Sequence, residues 1–534
     1  MAPGPRAAGE NFPFLLPAVL GYGALVLILL LRHELWQDEW QAWLIAQDSP
    51  SLPELLRNLR YEGHPGLWHL GLFLITRVTH NPLGMQLLHL LVAASTVYVF
   101  LRYSPFTRLQ KLLFILGYFP FYEYAVISRN YALGVLGLFL YCALYCRPRR
   151  NYFLLGVILF CLCQTSVYGL MIAMVLGVIL LGAALQERAA GTWRAIAGIM
   201  LVLLGIGLAI LQIIPPPDSG FAVGWHFDLD LPRLLSTLAT VWQSYVPLPA
   251  LTYHFWGTNL VADPRGQALL SVILLTFGLL LFSRKPFPLL LYVLGTAGLL
   301  TFTYVKYPGS LRHHGHLYLL LIASLWLSSR GGRGEWDADP GPYSYKTPIQ
   351  ILGDFCRNHR DRVVTALLAV HLLAGLWAAS LDLLYPFSAS QEAARFIQQH
   401  RLDRLTILGD ADDAASSVAG CLDRRLYYPA SRGRGSFIVW NEKRKTELEP
   451  EALLAQAGAL SRQRRQDVLL LLNHELPPGR FPVIPLQQFT QSLVPVENYY
   501  LYLLPHHLTD ISSLMKKYNL RASALIGGAP LTAD

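Results

Sequence analysis

Residues 25–43 read LVLILLLRHELWQDEWQAW, an apolar run that stops at Leu31 and gives way to two adjacent carboxylates, Asp38 and Glu39, among Trp36, Trp40 and Trp43. A bilayer core takes about 20 apolar residues per spanning helix, and the run that begins near residue 13 supplies them. It lacks a basic leader and a small-residue cleavage site, which marks an uncleaved anchor rather than a signal peptide. Similar runs recur from Phe14 to Leu383 with short polar breaks between them. Of 534 residues, 53% are hydrophobic and only 14% charged, a composition that excludes a soluble fold of this length.

The expected fold is an α-helical polytopic membrane protein of about eleven spans, near 13–31, 84–101, 112–125, 131–146, 152–165, 169–186, 195–214, 267–283, 287–305, 316–329 and 363–384. Residues 1–385 form this part, and 386–534 form an external α/β domain. The net charge of +9 does not point to nucleic acid, because the basic residues gather in the breaks RYSPFTRLQK, CRPRRN, QERAAGTWR, SRKP and the 330–362 stretch. All five fall on one side, which the positive-inside rule makes cytoplasmic. This holds if residues 66–79 (GLWHLGLFLITRVT) form a juxtamembrane or re-entrant helix instead of crossing. The N-terminus is then cytoplasmic and the C-terminal domain periplasmic, with a bacterial inner membrane as the expected home and the endoplasmic reticulum as the alternative. The six cysteines show neither a disulfide framework nor zinc spacing.

Three polar clusters then share the external side: the first loop (32–65), the break FYEYAVISRNYAL (121–133) and the break VKYPGSLRHHGHLY (305–318). A longer external loop spans 215–266. Asp38 and Glu39 sit among interfacial tryptophans, where an ionisable group is costly and is usually retained for a purpose. Glu62 and His64 follow in the same loop. Arg129, beside Tyr131, is either a snorkelling helix anchor or a planar fork for phosphate oxygens. Lys306, Arg312, His313, His314 and His316 open a helix and suggest an anion site, against an interfacial cation belt as the plain alternative. Asp228 and Asp230 in FDLDL read as one face of a short extended segment rather than metal ligands.

In this order the clusters resemble the GT-C superfamily of polytopic glycosyltransferases, in particular dolichyl-phosphate-mannose–protein mannosyltransferases and bacterial polyprenyl-phosphate-sugar transferases, including the aminoarabinose transferases. The resemblance rests on DEW after the first span, on EGHPGLWHL, where Gly66 replaces a second proline, and on SRNYAL. It covers roughly the first 135 residues well and the later spans in layout. It implies inverting transfer of a sugar from a polyprenyl phosphate to an acceptor protein, lipid or glycan, with membrane lipids as surroundings and no nucleic acid. By resemblance Asp38 is the general base, and Glu39 orients the acceptor or helps bind a cation. Arg129, Arg312, Lys306, His64 and Tyr131 are the candidates for the donor phosphate. Asp38, Glu39, Glu62 and His64 are the candidates for magnesium or manganese, which would suit the carboxylates without being demanded. No glycine-rich nucleotide loop is present. A transporter or flippase of a lipid-linked or anionic substrate is the rival, although no internal repeat supports it.

In the C-terminal part, SASQEAARFIQQH reads as a helix with Ser388 and Gln391 in capping-box spacing. DRLTILGD, SFIVWN and DVLLLLN read as strands and EPEALLAQAGALSRQ as a helix. In GDADDAASSVAG, Asp410, Asp412 and Asp413 are expected to cap a helix.

Overall fold

The computed structural model describes residues 12–220, 224–329, 347–445, 448–507 and 511–519. Much of the expected basic 330–362 stretch therefore lies outside the described residues. The helical part comprises α1 (Phe12–Leu30), α2 (Gln37–Asp48), α3 (Leu52–Asn58), α4 (Leu67–Thr76), α5 (Leu83–Tyr103), α6 (Arg108–Ile115), α7 (Tyr131–Tyr145), α8 (Tyr152–Cys163), α9 (Val167–Gln186), α10 (Trp193–Ile213), α11 (Leu231–Tyr245), α12 (Pro264–Phe282), α13 (Pro286–Val305), α14 (Leu311–Leu327) and α15 (Pro348–Leu384).

Helix starts follow local chemistry. Ser166 Oγ accepts from Gly169 N (3.0 Å) ahead of α9, Asp263 Oδ2 accepts from Gly266 N (2.9 Å) ahead of α12, and Thr347 and Gln350 form a capping box for α15. Where small residues face each other helices close up: a Cβ at Gly156 of α8 would come within 2.4 Å of Gly198 in α10.

Among the described residues, seven helices are long and apolar enough to cross a membrane: 13–30, 83–103, 167–186, 193–213, 264–282, 286–305 and 348–384. The other four expected spans are shorter or broken. Residues 112–125 divide at Gly117 into the end of α6 and a π-helical turn over Tyr118–Glu123, and α7 and α8 are short. The expected 316–329 span begins earlier, at Leu311, and α14 is buried almost throughout. The 66–79 segment forms only the ten-residue α4, tucked against α2.

The basic breaks meet at one end of the bundle. Arg284 and Arg357 both pair with Asp354, Arg150 pairs with Glu187, and Gln110 reaches Thr365 (3.1 Å). Asp38, Arg129, Arg312 and Asp382 meet at the other end. The 215–266 loop contains α11, and FDLDL leads into it, with Asp230 on extended backbone just ahead of Leu231. Asp230 Oδ1 accepts from Arg233 N (3.4 Å) and caps α11, whose far end reaches Ser271 and His371 inside the bundle.

The C-terminal part is an α/β domain with a six-stranded sheet, β1 (Thr406–Gly409), β2 (Leu426–Tyr428), β3 (Gly433–Gly435), β4 (Val468–Leu472), β5 (Ile484–Phe489) and β6 (Tyr499–Leu504), in the order β3-β2-β1-β4-β6-β5. β1 is parallel to β2 and β4, with Thr406 opposite Val468, and the other pairs are antiparallel. β4 is apolar along its length because it is buried throughout at the centre of the sheet. Helices α16 (Ser390–Gln399), α17 (Asp412–Cys421) and α18 (Pro450–Arg464) accompany the sheet.

Three local expectations are corrected. SFIVWN forms none of the sheet's strands: Ile438 exchanges two hydrogen bonds with the Gln41 side chain (both 2.9 Å) and Trp440 O accepts from Gly220 N, so its backbone groups are satisfied by the helical part. Ser388 does not form a capping box, since α16 starts at Ser390, whose N–H donates to the Ser388 hydroxyl oxygen (3.1 Å). Asp412 does not cap α17 but holds the Arg444 guanidinium (2.8 Å to Nε), while Asp413 Oδ1 accepts from the neighbouring Ala414 N.

Candidate active site

The first turn of α2 carries both acids of the opening stretch, where a helix N-terminus favours negative charge. Successive residues on a helix point about 100° apart, and the two carboxylates diverge accordingly.

Glu39 turns inward and is fully buried. It accepts from Ser128 N (2.6 Å) and Trp36 N (3.3 Å) and faces His33 Nε2 at 3.0 Å. His33 Nδ1 in turn lies 2.8 Å from Asp382 near the end of α15. Burial alone would lower the His33 pKa, but Asp382 and Glu39 outweigh it and hold the imidazole protonated well above its ordinary range. The result is a closed carboxylate–imidazolium–carboxylate bridge that ties the first loop to α15 and to the segment before Arg129. The expectation that Glu39 orients an acceptor or binds a cation does not fit, because its oxygens are committed to this bridge.

Asp38 turns toward the cleft, with its side chain 26% exposed, and its Oδ2 lies 3.1 Å from Arg129 Nη1 and 3.1 Å from Arg312 Nη2. Arg129 Nη1 also donates to the Asp38 carbonyl (2.6 Å). Arg129 comes from the turn between the π-helical segment and α7, and Arg312 from the first turn of α14. The Arg312 guanidinium stands 5.0 Å from the Trp36 ring and 5.6 Å from the Trp256 ring, which fixes its plane by cation–π stacking. Behind it Glu123 accepts from Tyr118 OH (2.9 Å) and Trp256 Nε1 (3.1 Å).

Tyr131 opens α7 under this pair, with its ring 5.9 Å from the Arg129 guanidinium, 6.3 Å from His64 and 5.5 Å from His313. Its buried hydroxyl has no hydrogen-bond partner among the described residues. His64 is held neutral, its pKa pushed down to about 4 by burial and by Arg129 against the pull of Asp38. Glu62 accepts from Gln41 Nε2 (2.8 Å), and burial raises its carboxyl to about 7. Lys306 ends α13 with its ammonium 4.8 Å from the Trp225 ring.

Asp38, Arg129, Arg312, Tyr131 and His64 are thus brought into one cluster by the α2, α7 and α14 ends. Of the four candidate cation ligands, Glu39 faces away while Asp38, Glu62 and His64 line one small cavity, and among the described residues no group of three or more His, Cys, Asp or Glu side chains is placed to hold a metal ion.

Several residues of the site escaped sequence reasoning. His33 and Asp382 are 349 positions apart, and Asp382 was a lone acid at the end of an apolar run, which is itself the signal that could have found it. Glu497 of the C-terminal domain accepts from Gln37 N at the start of α2 and from Ser417 Oγ (3.1 Å), with burial raising its carboxyl to about 8. Nothing local in the sequence marks that contact.

No family model and no curated protein matches the chain. Among solved structures it is similar to ArnT from Cupriavidus metallidurans bound to undecaprenyl phosphate, at 12% identity over 94% of this chain and 99% of that one, with a TM-score of 0.47. The apo state of the same protein gives 12% identity over 93% and 99% of the two chains, with a TM-score of 0.48.

Proposed function

We propose that this chain is an inverting glycosyltransferase that moves a hexosyl or pentosyl group from a polyprenyl phosphate to an acceptor on the non-cytoplasmic face of a membrane, a bacterial inner membrane by preference. The observation that carries the reading is the convergence of Arg129 and Arg312, from separate elements, on Asp38, the partly exposed carboxylate in the first turn of α2.

In this reading Asp38 takes the proton of the acceptor hydroxyl as the oxygen attacks the anomeric carbon. The bond from that carbon to the phosphate oxygen breaks, and its electron pair stays on the departing lipid phosphate. Arg129 and Arg312 are aimed where that charge grows. Fixed donors of this kind are each worth about a hundredfold in rate. In the free protein the same guanidinium groups hold Asp38, and an arriving phosphate competes with it for them, which frees the base as the donor binds.

The test uses purified protein in lipid nanodiscs with a panel of short-chain polyprenyl-phosphate hexoses and pentoses, following release of the lipid phosphate. Asp38-dependent release supports the reading. No binding or consumption of any donor by folded protein points to transport of an anionic lipid instead.

A further inference from the structure

The helix that carries Asp38 is held between two bodies. On one side α2 packs on α4, and Glu39 fastens it to Ser128 of the helical part. On the other side the C-terminal domain grips it from end to end. Glu497 Oε1 accepts from Gln37 N at the first residue of α2, and Ser436 Oγ donates to Asp48 at the last (2.6 Å). Between them Ile438 is bonded twice to Gln41, and α17 comes so close that a Cβ at Gly420 would stand 2.1 Å from the Trp40 ring. Arg129 and Arg312 stand on the helical part, in the turn ahead of α7 and the first turn of α14. The carboxylate and the arginine pair therefore have separate supports.

Glu497 differs from the other grips. It is fully buried, although a buried carboxyl is costly, and it takes a backbone N–H that α2 cannot satisfy itself, since the first donors of a helix lack intrahelical partners. Ser417 Oγ donates to the same oxygen (3.1 Å) and Ala389 N donates to the Glu497 carbonyl (3.3 Å), so its own domain fixes it at both ends. Asp38 follows Gln37 directly, and a shift of that anchor moves the carboxylate with it.

We infer that Glu497 is a positioning residue: through Gln37 it fixes the first turn of α2 and with it the aim of the Asp38 carboxylate, while the hold on the donor phosphate stays with the helical part. This role rests on the transferase reading above and gives it a residue, from the other domain, that touches no reactant. Turnover then depends on the docking of the C-terminal domain against α2, and donor binding does not.

The experiment measures lipid phosphate release, farnesyl phosphate affinity and the thermal midpoint in nanodiscs, in the unsubstituted and the Asp38→Asn backgrounds. Gln37→Pro deletes the donor and leaves Glu497 in place. Proline suits the first position of a helix, and Trp36 before it is already extended, as a residue preceding proline prefers. Gln37→Ala, which loses the same side chain but keeps the N–H, is its reference. Glu497→Ala deletes the acceptor, and Glu497→Gln keeps an oxygen and the shape. Burial raises the Glu497 carboxyl to about 8, so glutamine also keeps the neutral form that prevails at pH 7.

Gln37→Pro and Glu497→Ala are each expected to lower kcat about tenfold to a hundredfold, the range from one lost hydrogen bond to an ångström of misplacement. Farnesyl phosphate affinity should hold, Glu497→Gln should restore the rate, and the loss should vanish in the Asp38→Asn background, where there is no base to aim. A Gln37→Pro protein that matches Gln37→Ala in rate overturns the positioning role. So does an equal loss with and without Asp38, or a fall in phosphate affinity and thermal midpoint together with kcat, since either makes the contact a domain fastening only. Absence of release by the unsubstituted protein overturns the transferase reading and this role with it.

Discussion

Asp38 and Glu39 are neighbours in the chain and occupy two regions of opposite character. Around Glu39 both carboxylate oxygens and both nitrogens of His33 are buried and paired, with His33 bridging it to Asp382 and Ser128 N donating from a third segment. Around Asp38 the partners are two arginines on a partly exposed wall, and further polar atoms stand without partners. A closed network rigidifies a fold, whereas an open one leaves bonds for a substrate to make. In the proposed reading the first region holds the scaffold, and the second does the chemistry.

Substituting the two acids separates these roles. Asp38→Asn is expected to reduce lipid phosphate release by about a thousandfold, the scale of a lost general base, with the unfolding midpoint nearly unchanged. Farnesyl phosphate affinity should hold or rise, because the internal competitor for the arginines loses its charge. Glu39→Gln should do the reverse. It breaks a buried ion bridge, which costs about 3–5 kcal/mol of stability, and a fall in the thermal midpoint measured in the same nanodiscs checks it. A stable Glu39→Gln protein with no turnover would break the comparison and move Glu39 into the chemistry.

The arginines sharpen the comparison further. Arg129→Ala is expected to lower kcat/KM for the donor about a hundredfold, and farnesyl phosphate affinity should fall with it. Arg312→Lys keeps the charge but loses the fork and the stacking on Trp36 and Trp256, so its smaller loss measures how much the fixed plane contributes beyond charge. Equal affinity and rate in Arg129→Ala would return that residue to a helix anchor.

The division between the regions was only half legible in the sequence. Apolar runs and basic breaks placed the helices, and the polar clusters at the run ends named Asp38, His64, Arg129, Tyr131 and Arg312. Which acid faces the cleft was not readable, because that depends on where Ser128 N falls, and Ser128 is set by a π-helical turn that interrupts an apparently continuous run. The same limit applies to SFIVWN. Its residues suit a strand, but Gln41, nearly four hundred positions away, takes both backbone groups of Ile438. Cationic composition drew Lys306 and Arg312 together as one anion site, whereas the turn after α13 sets Lys306 beside Trp225. Long-range pairing decides each of these cases, and local pattern does not carry it.

The smallest expected effect concerns pH and tests the closed region alone. Burial by itself would make His33 harder to protonate, and the carboxylates of Asp382 and Glu39 reverse this, so folding raises its pKa well above 6.5. The folded chain then keeps a proton that the unfolded chain has released once the pH passes about 6.5. The stabilisation is complete below that point, declines above it, and is gone once the pH exceeds the folded-state value. The thermal midpoint of the unsubstituted protein should therefore fall on alkalinisation, while His33→Gln, which carries no proton to lose, should start lower and stay flatter. Parallel profiles for the two would show that the bridge is held by geometry without the imidazolium charge, and the contrast between a charged scaffold and an open catalytic wall would reduce to one of burial.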